Sequence, residues 1–261
     1  MINCNKHINM GFLVLIVGQA CNFRCMDCAN FAPISPDKFK RYDVEEIKDN
    51  LSIILKNVDF LENVQIQGGE PFLYSDLGML VEWLRSKNVR NIVIATNGSI
   101  VPQHEMLQQL KDNNILVRIS NYGLSTQRNT LVEKLNYYGI AWNEYYFANN
   151  NSYWYYCGGK DMQKETSFLR WIIRYNKCKF SRCYTLERNE ISKCSRSTNS
   201  WCIQGFERKK GDYLLVEDIP EFSKKLKKYL KSRYPMEACR YCYGTSEKHL
   251  IKPAVQMKSF E

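Results

Sequence analysis

Hydrophobic and polar positions in the first part of the chain switch between two periods. GFLVLIV (11–17) is an unbroken apolar run, the pattern of a strand buried on both faces. DVEEIKDNLSIILKNV (43–58) sets Val44, Ile47, Leu51, Ile54 and Leu55 on one helical face. NVQIQ (63–67) alternates as a short strand and ends at Gly68-Gly69. DLGMLVEWLRSK (76–87) predicts a helix with an Asp start, and NIVIATNG (91–98) a strand and a turn. A helix follows over 102–113, a strand over 115–120, a helix over 125–138, and a strand in AWNEYYFA (141–148). Strand and helix alternate at least four times. That predicts an α/β fold with a parallel sheet and right-handed crossovers. Ligands of such folds gather at the carboxyl ends of the strands. The loops CNFRCMDC, GGEP, TNG and SNYG all follow strands, so they should share one face of the sheet.

The pattern changes near residue 150. NNNSYWYYCGGK (149–160) is an aromatic, Gly-rich loop, and ETSFLRWIIRYNK (165–177) reads as a helix. Six of the eleven cysteines follow. This predicts a first domain over 1–177 and a small Cys-rich module over 178–261. In the module, YTLE and EISK read as hairpin strands turning at Arg188-Asn189. KKLKKYLKSR (224–233) reads as an amphipathic helix, with Phe222, Leu226, Tyr229, Leu230 and Tyr234 at helical spacing.

Composition narrows the class. At 44% hydrophobic and 25% charged residues, the chain is of ordinary globular type. Its apolar run near the start falls short of the roughly 20 residues a bilayer span needs, and no secretory signal is evident. These features read as cytoplasmic, with no membrane partner. Eleven cysteines, odd in number and clustered, read as reduced metal ligands rather than a disulfide scaffold. The net charge of +10 is concentrated in ERKKGD (207–212) and in the late helix. It reads as a solvated helix face, or as a basic rim for a small anionic substrate or an acidic electron donor. No nucleic-acid recognition motif accompanies it.

The chemistry begins at CNFRCMDC, with Cys21, Cys25 and Cys28. Thiolates bind zinc or iron–sulfur clusters. A closed zinc site needs a fourth ligand, and His7, His104 and His249 all lie outside the loop. A zinc site that borrows a distant ligand is the competing reading. A 4Fe–4S cluster on three cysteines instead keeps one iron open to a small molecule.

CNFRCMDC resembles the CxxxCxxC signature of the radical S-adenosylmethionine (SAM) enzymes. QGGEP (67–71) is similar to their Gly-Gly-Glu motif, and TNG (96–98) to their ribose-contacting loop. The resemblance covers roughly residues 10–150. It implies a partial TIM barrel of (β/α)6 type, with a 4Fe–4S cluster on Cys21, Cys25 and Cys28. It also implies SAM chelated to the open iron, and cleavage to a 5′-deoxyadenosyl radical by an electron from a flavodoxin- or ferredoxin-type donor. Cofactor contacts are implied for Gly68, Gly69 and Glu70 (the last as partner of the ammonium), for Thr96 and Asn97 at the ribose, and for Ser120. Each has a plainer reading: a strand-to-helix turn, an Asn-Gly turn, and a cap or turn serine. The chain departs from the family at Asp27, where an aromatic residue that packs near the adenine is usual.

The later cysteines resemble the SPASM auxiliary-cluster module and its shortened form, twitch. That resemblance implies a second 4Fe–4S cluster on Cys178, Cys194, Cys239 and Cys242, with Cys183 as alternate to Cys178. Asn189 stands where the module usually has Gly, and Asn tolerates a left-handed turn. A structural zinc site would use the same ligands. Cys4, Cys157 and Cys202 read as buried small hydrophobes, and Cys183 as a candidate hydrogen-atom donor. The short layout is similar to carbohydrate- and aminoglycoside-acting members. It implies a polar, carbohydrate-like substrate that is oxidised, epimerised or deoxygenated. Tyr145, Tyr146, Trp154, Tyr155 and Tyr156 are candidate pocket residues, or equally a packing cluster. Two other functions stay open: maturation of a ribosomal peptide, and a non-catalytic zinc-stabilised binding protein; an activase for a glycyl-radical enzyme is disfavoured, since such a protein would usually add ferredoxin-like cysteine repeats, which the sequence does not show.

Overall fold

The computed structural model describes residues 8–147 and 152–258. Cys4, His7 and Ala148 lie outside the described residues, as do residues 149–151 of the aromatic loop. Five strands alternate with four helices in chain order: β1 (Leu13–Ile16), α1 (Val44–Asn57), β2 (Asn63–Gln67), α2 (Leu77–Ser86), β3 (Asn91–Thr96), α3 (His104–Asp112), β4 (Leu116–Asn121), α4 (Arg128–Tyr138) and β5 (Trp142–Tyr146). These strands pair parallel in the order 1-2-3-4-5. Period-2 alternation turns Val64, Ile66, Ile92, Ile94, Val117 and Ile119 into one core with Leu51, Ile54, Leu80, Leu107 and Leu131 of the helices. Asp43 caps α1 by accepting from the N–H groups of Glu45 and Glu46, at 2.9 and 3.0 Å. Such a cap is worth about 1 kcal/mol.

After β5 the repeat stops. Trp154–Tyr155 pairs antiparallel with Leu250–Ile251 in a two-stranded ribbon, and α5 (Phe168–Lys177) follows. The hairpin then runs as β6 (Thr185–Glu187) and β7 (Glu190–Ser192), with β8 (Tyr213–Leu215) beside β7. This hairpin does not stand apart from the first domain. β6 pairs parallel with β1, Val14 opposite Thr185 and Leu15 opposite Leu186, giving an eight-stranded sheet of order 8-7-6-1-2-3-4-5. The reason lies in β1, which is buried along its whole length. Both of its edges need hydrogen-bonding partners out of water. Of the six β/α units expected, five strands follow one another in the parallel sheet among the described residues, and the hairpin strand β6 adds a parallel neighbour on the far edge of β1.

The hairpin turn is corrected as well. Arg188, not Asn189, takes the left-handed conformation, with φ 56°. The Arg188 guanidinium lies 4.6 Å from the Phe39 ring centroid, within cation–π reach. α6 (Phe222–Lys231) buries Phe222, Leu226 and Tyr229 as its pattern predicts. Tyr234 lies beyond the helix and meets the Trp171 ring edge-on. No helix among the described residues is long and apolar enough to cross a membrane.

Candidate active site

The loops after β1, β2 and β3 converge. The segment Gly18–Ala20 that enters the cysteine loop runs against the end of β2: the Gly69 N–H donates to the Gly18 carbonyl at 2.9 Å, and the Glu70 N–H to that of Ala20 at 2.7 Å. A Cβ on Gly68 would lie 2.0 Å from the Gly18 carbonyl oxygen, and one on Gly69 2.0 Å from that of Ala20. The sequence assigns this room to the cofactor; the structure fills it with the chain's own backbone. The glycine pair thus fixes where the cysteine loop begins.

Glu70 ties the second loop to the third. It is buried, and its carboxylate accepts from the Thr96 hydroxyl (2.7 Å), the Asn97 N–H (2.7 Å) and the Phe72 N–H (3.1 Å). Burial nevertheless pushes its pKa up to about 7, against the opposing pull of these donors. The Thr96 hydroxyl donates to Glu70 and accepts from the Gly98 N–H, so its one O–H is committed within the loop. Asn97 faces the cysteine loop: its Nδ2 donates to Asn22 Oδ1 at 3.0 Å and lies 3.9 Å from Cys21 Sγ. Asn22 in turn donates to Ser99 Oγ, and Asn30 to the Gly68 carbonyl.

The three thiols form one electrostatic group. Burial raises all of them, Cys21 to about 12, and charge on Cys25 and Cys28 raises Cys21 further. Each sulfur already receives N–H donors: Phe23 N–H at Cys21 (3.4 Å), Gln256 Nε2 at Cys25 (3.3 Å), and the backbone of Ala32, Asn30 and Phe31 at Cys28. Such donors stabilise ligand thiolates. Three mutually coupled sulfurs, each with its own donor, fit a three-cysteine 4Fe–4S cluster with one iron open. The chain's tail clamps the loop from outside: Met26 N–H donates to the Val255 carbonyl, Arg24 N–H to Gln256 Oε1, and Met257 N–H to the Arg24 carbonyl. Periodicity gave no sign of this clamp.

Beside the loop stands Tyr122, two residues beyond the expected contact residue Ser120. Its hydroxyl shares a hydrogen bond with Ser120, and it lies close enough to feel charge on Cys21, Cys25 and Cys28. Its ring stacks on Phe147 (centroids 5.4 Å apart) and meets Trp154 edge-on. Its place directly after a strand end was the available signal. The other candidate aromatics do not form one wall. Tyr145 and Tyr146 are exposed on β5, Tyr155 packs on Phe180, and Tyr156 lies by Tyr243 and Asp27. Burial raises the Asp27 carboxyl above its ordinary range.

A second group of cysteines surrounds a cavity in the late part of the chain. Cys178, Cys194, Cys239 and Cys242 all line it, together with Arg196. Cys183 does not. It precedes β6, at the end of that strand opposite the cysteine loop, because β6 runs parallel to β1. That places it away from the face expected of a hydrogen-atom donor, while it stays near enough to Cys178 and Cys194 to feel their charge without lining the cavity. Burial raises Cys194 to about 12 and Cys239 well above the usual thiol range. Cys157 is more than a space-filler: it is buried and shares a hydrogen bond with Cys242, which holds the Cys242 thiol below its ordinary range. Cys202 is half-buried, away from the cavity lining. Among the described residues, no three His, Cys, Asp or Glu side chains are grouped so that they could hold a single metal ion.

Residues 15–144 match the family described as the Radical SAM superfamily. Over 117 residues the chain is 30% identical to a putative glycyl-radical enzyme activating enzyme of Methanocaldococcus jannaschii, covering 45% of this chain and 43% of that protein. The aligned part is thus less than half of that relative's length. The fold is shared with the crystal structure of BtrN in complex with AdoMet and 2-DOIA (TM-score 0.56, 14% identity, 96% of this chain and 100% of that one). It is shared equally with histidine-tagged anSMEcpe with bound AdoMet (TM-score 0.56, 13% identity, 94% and 93%).

Proposed function

The chain belongs to the radical SAM superfamily through residues 15–144, and from that premise we propose that it cleaves SAM reductively and takes a hydrogen atom from a polar, carbohydrate-like substrate, leaving it oxidised, epimerised or deoxygenated. The cluster on Cys21, Cys25 and Cys28 supplies, once bound, the electron that splits the sulfonium. Glu70 holds the TNG turn against the cysteine loop and meets the ammonium of SAM. Gly68 and Gly69 set the loop's entrance, and Asn97 and Ser120 offer polar contacts to the ribose. Thr96 commits its O–H to Glu70 and can meet the ribose only as an acceptor. Cys178, Cys194, Cys239 and Cys242 hold a second 4Fe–4S cluster. An acidic flavodoxin- or ferredoxin-type donor suits the basic face of α6.

The observation that supports the substrate class is the sheet face that alternates with Val64, Ile66, Val117 and Ile119. It carries Gln65, Gln67 and Arg118, joined by hydrogen bonds from Gln65 to Gln67 and from Arg118 to Gln65. Arg118 pairs across the ladder with Asn143, and its guanidinium lies 5.5 Å from the Tyr145 ring. Amides and a guanidinium on an inner face suit a hydroxyl-rich or anionic small molecule. A peptide substrate is the second reading, since anSMEcpe, of the same fold, has been solved with a bound Cp18Cys peptide.

Anaerobic incubation with SAM, a reductant and a panel of sugars, aminoglycosides and peptides tests both. The expected outcome is 5′-deoxyadenosine together with a mass change in a sugar or aminoglycoside. A mass change in peptides alone would replace the first reading by the second. Protein holding zinc and no iron would end both.

A further inference from the structure

Arg196 lies on the short helix Ser195–Thr198, two residues after Cys194. It is 5% exposed. Its Nη2 donates to the Gly158 carbonyl at 2.7 Å, and its guanidinium carbon lies 4.7 Å from the Phe31 ring centroid. Its Nε is buried without a hydrogen-bond partner. Among the described residues no carboxylate forms an ion pair with it. Burying an unpaired cation costs several kcal/mol unless some negative charge compensates. The surroundings name the compensation. Phe31 follows Cys28 by three residues, Gly158 follows Cys157, and Arg196 lines the cavity of Cys178, Cys194, Cys239 and Cys242.

We infer that Arg196 is a shared counter-ion, one permanent cation set between the two cysteine centres and raising the reduction potential of the iron–sulfur cluster at each. The inference rests on the reading that both centres hold such clusters. A guanidinium stays charged at any working pH. A thiolate-ligated cluster gains negative charge on reduction, so a nearby buried cation stabilises the reduced form more than the oxidised one. Acting at both centres, Arg196 sets each potential higher than it would stand without the charge.

Iron content of the anaerobically purified wild-type protein tests the underlying reading alone: about eight irons per chain for two clusters, about four for one. EPR-monitored redox titration of wild type, R196K and R196Q then tests Arg196. With iron retained, R196Q should shift both potentials to more negative values while R196K stays near wild type. A shift at one centre only, or at neither, overturns the inference. If R196Q loses iron, retention by R196K supports a requirement for the charge, and loss by both overturns it in favour of packing.

Discussion

The three-cysteine loop draws all its sulfur from residues 21–28, whereas the second centre gathers Cys178, Cys194, Cys239 and Cys242 from separated segments. The first is held by what precedes it: a buried strand, two glycines and a buried carboxylate fix its entrance, and the tail clamps its outer side. The second is held by what surrounds it: α5, the hairpin and the turn at Glu237–Tyr241 each bring a wall of the cavity. One centre is a property of a loop, the other of a completed fold. The first should therefore fail through chemistry when altered, and the second through assembly.

The largest expected effect separates the two centres directly. Alanine at Cys21, Cys25 and Cys28 should abolish 5′-deoxyadenosine formation and remove the iron of that centre. Alanine at Cys239 and Cys242 should remove the other iron and still permit SAM cleavage without product. Cleavage surviving in the first variant would break the contrast. Next is Gly69→Ala, whose Cβ would meet the Ala20 carbonyl oxygen at 2.0 Å. Overpacking against backbone should cost about 3 kcal/mol, read as a lower urea midpoint. A midpoint unchanged from wild type would show that the loop entrance yields.

Glu70 gives a pH-dependent test. Its folded pKa, about 7, lies above the ordinary carboxyl value of 4.5, so the folded state binds the proton more tightly. Its contribution is whole below that ordinary value and is lost as pH rises through the folded one. The loss is about 3 kcal/mol. The stability difference between wild type and Glu70→Gln should fall across that window; a flat difference would place the carboxylate in a wetter setting. The smallest effect is expected at Cys183→Ser, with full iron retained and stability within about 0.5 kcal/mol. Loss of iron there would return Cys183 to the ligand set.

Much of this was legible in the sequence where short-range signals decide the outcome. The amphipathic spacing of α1, the Asp43 cap and the alternation of β2 are local, and the elements fall where those patterns place them. The cysteine loop, GGE and TNG share a face because parallel strands leave no alternative. The hairpin was legible as two strands, but not its place in the main sheet, which depends on β1 needing a partner on its second edge. Asn189 looked like the left-handed residue by propensity, yet Arg188 takes that conformation, with its guanidinium over the Phe39 ring. Tyr122, Gln256 and Arg196 were illegible for one reason: each acts on a cysteine far away in sequence, and no period along the chain encodes such a meeting.

The pairing of β1 with β6 also bears on how the protein is made. Val14 leaves the ribosome roughly 170 residues before its partner Thr185. At 5–20 residues per second that delay is about 10 to 35 s. Until then the second edge of LVLI stands open, an aggregation hazard that pairing with β6 ends.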